Sequence, residues 1–220
     1  MNYKFHIVIC YLFPPQIYYM HKIISLVSLL ICFSFTTADT SLSNKEIKSD
    51  ISYFKETQKN LIKEVKGLSE TQLNWKPADS VWSVANCVEH ITISEKNLFD
   101  WAMSTLKEPA NPGKRAELKQ DDEAIKKMLT DRSHKVKTME AFKPTGQFGN
   151  TQKALDVFKE RRSVVINYIK RTDNDLRNHF ASTPLGLVDT YQLLLFISAH
   201  SKRHTLQIEE LKAMSGFPKK

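Results

Sequence analysis

The chain has 220 residues, of which 41% are hydrophobic and 25% charged, with a formal net charge of +8. That length holds one compact domain, and the composition is ordinary for a globular protein. Six glycines are too few for a sandwich of many tight turns and suit long helices with few reversals. Lys and Arg are interspersed with Asp and Glu and form no dense basic run, so the charge is read as a mixed solvated surface and no nucleic-acid partner is expected.

Met20 is a second candidate start, after an apolar and aromatic stretch, Met1 to Tyr19, that Pro14-Pro15 interrupts. His21 and Lys22 form a short polar region, Ile23 to Phe35 an apolar one, and Thr36-Thr37-Ala38 supply small residues. This is the pattern of a secretory signal peptide cleaved after Ala38. Its apolar part is shorter than the roughly 20 residues that span a bilayer. Residues 1–38 are therefore expected to be an N-terminal extension and signal peptide. Residues 39–220 are the working domain, exported to a periplasm or the exterior, with no stable membrane insertion after cleavage. Cys10 and Cys32 leave with the signal, and Cys87 alone permits no internal disulfide.

Ile47, Ile51, Phe54, Gln58, Leu61, Val65 and Leu68 recur every three or four residues. They predict one amphipathic helix over about 44–66, ended by Gly67. Ser69 to Trp82 breaks the period and reads as a structured loop pinned by Trp75 and Trp82. Ser83 caps a second helix with Val84, Val88, Ile91, Leu98, Ala102 and Leu106 inward; Pro109 and Pro112-Gly113 end it. Residues 114–150 read as an excursion, with Asp121 or Asp122 capping a short helix through about Met139. Thr151 is the expected cap of a third main helix that buries Leu155, Phe158, Val165, Ile166 and Ile169, and Pro184 with Gly186 predicts a turn. Asp189-x-x-Gln192 is a capping-box variant before the clearest helix, with Leu194, Ile197, Ser201, His204, Ile208 and Leu211 facing inward. Four such stripes predict an all-α four-helix bundle.

His200 and His204 lie one turn apart on that last helix, so both rings leave one face about 6 Å apart along the axis. This spacing suits one metal ion; the alternative is a pair of hydrogen-bonded core histidines. His90, at the edge of the second helix's apolar stripe, is the best third ligand or else a boundary histidine. Cys87, one turn earlier, is a fourth ligand, a reactive thiol, or a small buried hydrophobe. His134 and His179 sit among charged residues and are read as solvent-facing. Lys202 and Arg203 fill the positions between the last histidines, so no glutamate base is built in there, and Glu89 points elsewhere on the wheel from His90. Arg203 is a candidate for holding an anionic substrate. It and Arg161-Arg162 are alternatively surface or helix-pairing charges.

The run LSETQLNWKP from Leu68 to Pro77, the Trp82-Ser83-Val84 to Glu89-His90-Ile91 segment, and the tail DTYQLLLFISAHSKRHTLQI from Asp189 to Ile208 together resemble the DinB-like superfamily. The resemblance covers roughly residues 45–213. It implies up-down-down-up connections with a long link between the second and third helices, matching residues 107–150. It also implies a divalent metal, commonly zinc or nickel, on His90, His200 and His204. Some members of the family are thiol S-transferases and others are described as metal-dependent hydrolases, and relatives pair as homodimers. The resemblance therefore implies a small-molecule substrate that it does not identify, with a non-catalytic ligand- or metal-binding bundle as the alternative. The export signal departs from the family's usual cytoplasmic setting.

Overall fold

The computed structural model describes residues 42–219; the signal-peptide reading of residues 1–38 lies outside them. In chain order the elements are α1 (Asn44–Val65), α2 (Glu70–Asn74), α3 (Val84–Thr105), α4 (Asp122–Thr130), α5 (Thr151–Arg171), the strands β1 (Phe180–Thr183) and β2 (Gly186–Asp189), and α6 (Thr190–Ala213). Short 3-10 turns at Pro112–Glu117 and Glu140–Phe142 punctuate the excursion between α3 and α5. No helix among the described residues is long and apolar enough to cross a membrane.

The helix starts follow from local chemistry. Ser43, Ser69, Ser83 and Asp189 each accept a hydrogen bond from the backbone three residues on, while Glu46, Gln72, Asn86 and Gln192 reach back to the cap. Two otherwise orphaned N–H groups are thus satisfied at each start. At the end of α1, Gly67 adopts φ 73°, a conformation open to glycine at little steric cost.

Three local expectations need correction, and a fourth, the turn at Pro184 and Gly186, holds and is extended. The loop from Ser69 contains α2, because Ser69-x-x-Gln72 is itself a capping box. The helix begun at Asp121 stops at Thr130, not near Met139. There Asp131 Oδ1 accepts from Ser133 N–H at 2.8 Å, and the Arg203 guanidinium takes up the carbonyls of Leu129, Asp131 and His134, which draws the backbone out of helical bonding. Asn150, not Thr151, caps α5, accepting from Lys153 N–H at 2.8 Å. The turn at Pro184 and Gly186 closes an antiparallel hairpin that pairs Phe180 with Asp189 and Thr183 with Gly186.

The long helices form a bundle in which α3 packs on α5 and α6, and α1 packs on the same two from the other side; α4 lies on α6. The core falls into two apolar clusters. One gathers Phe54, Leu98, Val165, Ile169, Leu194 and Ile197, the other Leu61, Val88, Ile91, Leu155, Phe158 and Ile208. Between these two sets each helix contributes one member of a shared polar layer: Thr57 on α1, Glu95 on α3, Arg162 on α5 and Ser201 on α6. Arg162 and Glu95 are fully buried and form a two-point ion pair at 2.6 and 2.8 Å. The same guanidinium also donates to Phe54 O at 2.9 Å, Thr57 Oγ1 at 2.7 Å and Ser201 Oγ at 2.7 Å. Arg162 is therefore a helix-pairing group, and this layer sets the axial register among the four helices.

Candidate metal centre

That register brings α3 and α6 together so that His90 meets His200 and His204. His90 Nε2 stands 3.2 Å from His200 Nε2 and 3.1 Å from His204 Nε2. The three rings contact edge to face, with centroids 4.4 to 4.8 Å apart. His90 and His204 are 3% and 8% exposed, and His200 is half-buried. These three form a group whose ligand atoms all lie within 4.8 Å of one another, and Cys87 is not part of it. The Cys87 thiol is fully buried, and burial pushes its pKa up to about 12. It is the small hydrophobe rather than the fourth ligand or the nucleophile.

The outer nitrogens explain how the rings are aimed. His90 Nδ1 donates to the Phe142 carbonyl at 2.6 Å, and His204 Nδ1 donates to Gln207 Oε1 at 2.9 Å. An acceptor-only oxygen at Nδ1 requires the proton there, which leaves Nε2 as a bare lone pair in the neutral ring. Burial lowers the His90 pKa to about 4 and holds His200 and His204 well below the ordinary histidine range. All three are neutral at physiological pH. Two lone pairs facing each other at 3.1 Å repel unless a cation lies between them.

Phe142 reaches His90 because α3 grips the far end of the excursion. Glu89 Oε1 accepts from Thr145 N–H at 3.1 Å and Gln147 N–H at 2.9 Å, and Asn97 Nδ2 donates to Ala141 O at 3.0 Å. Glu89 thus points away from His90 and positions the loop that orients it. Trp82 forms a wall over the cluster, with its ring 4.7 Å from His90 and 5.9 Å from His204. The sequence marked Trp82 as a loop pin and as part of the family resemblance, and no spacing rule connects Phe142, Gln207 or Trp82 to the histidines they support.

A cleft of about 620 Å³ opens onto His204, with Trp82, Arg132, Arg203 and Gln207 in its wall. Arg203 lines it, but the guanidinium donors described above face the carbonyls of the α4 exit. His134 is exposed at the cleft, as expected of a solvent-facing residue. His179 is instead half-buried, with Nδ1 3.2 Å from the Thr105 carbonyl, because the hairpin folds it against the end of α3.

The chain is 28% identical over 165 residues to the uncharacterised protein YuaE of Bacillus subtilis, covering 74% of this chain and 96% of that protein. Among solved structures it resembles YfiT from Bacillus subtilis, described as a probable metal-dependent hydrolase with an unusual four-helix bundle topology. That match has a TM-score of 0.54 and 18% identity, over 81% of this chain and 92% of that one. At that identity the likeness establishes the bundle fold and leaves activity open. Residues 53–208, well over half the chain, match the DinB superfamily, and with the bundle and the converging histidines in place, the chain belongs to the DinB superfamily.

Proposed function

We propose that this protein is a metal-dependent hydrolase whose His90, His200 and His204 hold one divalent ion, zinc or nickel, through their Nε2 atoms, and that it acts outside the cytoplasm. The observation that carries the reading is the pair of Nδ1 hydrogen bonds to Phe142 O and Gln207 Oε1, which turn bare Nε2 lone pairs toward a common point. The Nε2 separations of 3.1 and 3.2 Å lie close to the roughly 3.3 Å between neighbouring nitrogens of a tetrahedral zinc site with 2.0 Å bonds. Held by neutral imidazoles, a divalent ion would keep its full charge and would supply Lewis-acid chemistry to a water or a carbonyl.

The chain's own residues supply the rest. His90 and His204 are locked in one tautomer and orientation by their outer hydrogen bonds, the usual role of partners behind metal ligands. Trp82 and the buried faces of α3 and α6 keep bulk water off the nitrogens, and the cleft admits a substrate to the His204 side. Residues 20–38 support export, and the scarcity of free thiols in oxidising compartments favours hydrolysis over thiol transfer. The long crossover between α3 and α5 supports the up-down-down-up connection.

The test is elemental analysis of the purified protein beside His204→Ala, followed by a screen of ester and amide substrates. One zinc or nickel per chain, lost with activity in the variant, is the expected result. Hydrolysis that persists in metal-free protein would refute the reading.

A further inference from the structure

The cleft beside His204 carries far more positive than negative charge. Six lining side chains are lysine or arginine and two are acidic. Three of the cations already have partners. Arg132 forms a two-point ion pair with Glu210, both contacts 2.6 Å, Lys143 pairs with Glu140 at 2.6 Å, and Arg203 faces backbone carbonyls. Lys76, Lys135 and Lys137 remain, and among the described residues no carboxylate lies within 4.0 Å of any of them. Lys135 and Lys137 sit on the segment that Arg203 anchors through Leu129, Asp131 and His134. Arg203 adjoins His204 in the chain, so the anchor ties these lysines to the helix that carries the triad. The same cleft has an apolar face made by Val81, Trp82 and Leu211. Its volume of about 620 Å³ suits a small molecule.

We infer that the cleft selects a small amphiphilic anion: an ester or amide whose carboxylate is held by Lys76, Lys135 and Lys137 and whose apolar body lies against Trp82. The scissile bond then faces His204, and that part rests on the hydrolase reading above. Hydrolysis adds one water across an ester; the acyl carbon gains the hydroxyl, its C–O bond breaks, and the released alcohol takes the proton. The lysines have no step in that chemistry. They raise the local concentration of anions and fix which end enters first.

The test is equilibrium binding, by titration calorimetry, of 4-phenylbutyrate and its uncharged counterpart 4-phenylbutanamide to the full protein and to the Lys135→Gln/Lys137→Gln variant. Both lysines are exposed, so the variant keeps its fold, which circular dichroism checks. The expected result is an anion bound about tenfold tighter than the amide, a preference that shrinks as salt rises. The double variant is expected to lose about fivefold in anion affinity and to bind the amide unchanged. Equal affinity for the two probes, an unchanged double variant, or no anion binding at millimolar concentration would overturn the inference. Repeating the titration with His200→Ala separates the two readings. A charge preference that survives there, while the wild-type protein loaded with zinc or nickel hydrolyses no ester or amide, would refute the hydrolase reading and leave the anion cleft standing.

Discussion

Glu95→Gln removes one negative charge from the buried layer that aligns the four helices and leaves the side-chain volume nearly unchanged. Arg162 is 0% exposed and would keep only three neutral acceptors, Phe54 O, Thr57 Oγ1 and Ser201 Oγ. Leaving one member of a buried pair uncompensated costs roughly 3–5 kcal/mol. The new amide oxygen restores one hydrogen bond, worth about 1 kcal/mol, so a net loss of about 3 kcal/mol is expected. Against a typical stability of about 5–15 kcal/mol that is a large fraction. Urea unfolding followed by circular dichroism should show the midpoint falling by about 1–2 M at an unchanged slope of around 2 kcal/mol per molar. The paired replacement Arg162→Met/Glu95→Leu should recover most of the loss, since apolar residues of similar volume restore packing without a buried charge. A Glu95→Gln loss below about 1 kcal/mol would refute the argument that this pair is desolvated and that it holds α3 against α5 and α6.

Gln207→Ala removes the acceptor at His204 Nδ1 and should weaken metal binding about 10- to 100-fold, read by competition with a chromophoric chelator; unchanged affinity would dismiss the orienting role. Cys87 should resist a disulfide reagent in the native protein and react only on unfolding, because the thiol is buried and its pKa is pushed up to about 12. Fast labelling of folded protein would contradict its burial. Asp50 is 1% exposed, one carboxylate oxygen lacks a partner, and burial raises its pKa to about 6. The folded state then holds the proton more tightly than the unfolded state, so this group lowers stability as pH rises from about 4 through 6. Asp50→Asn should accordingly stabilise the protein at pH 7 by on the order of 2 kcal/mol and by almost nothing at pH 4. An equal gain at both pH values would show that ionisation is not the cause.

The main helices were legible because their apolar residues repeat at the helical period and their caps are spelled out locally. Ser83, with Val84, Val88 and Ile91, announces α3 in the same way that Asp189 and Gln192 announce α6. The short helix after Ser69 carries the same capping signal, but five residues are too few to set up a period. The β hairpin was missed for a related reason: four-residue strands beside Pro184 and Gly186 look like a turn with flanks. Asp50, Thr57, Glu95 and Arg162 lie on inward faces, beside the apolar stripes that mark each helix. Their burial depends on partners on other helices, and no single helix contains that information.

By itself, the sequence determined the all-α class, the starts of the long helices, and the one-turn spacing of His200 and His204. Each of these depends on interactions within a few residues, which local pattern records. The tertiary structure alone decided that His90 Nε2 meets the other two at 3.1 and 3.2 Å, that Phe142 and Gln207 set the ring tautomers, and that Trp82 walls the cluster. It also turned Arg203 from a candidate substrate contact toward the backbone of the α4 exit and grouped Lys76 with Lys135 and Lys137 around one cleft. These are relations between helices, and they exist only once burial of two apolar clusters and one ion pair has fixed how the helices stand against one another.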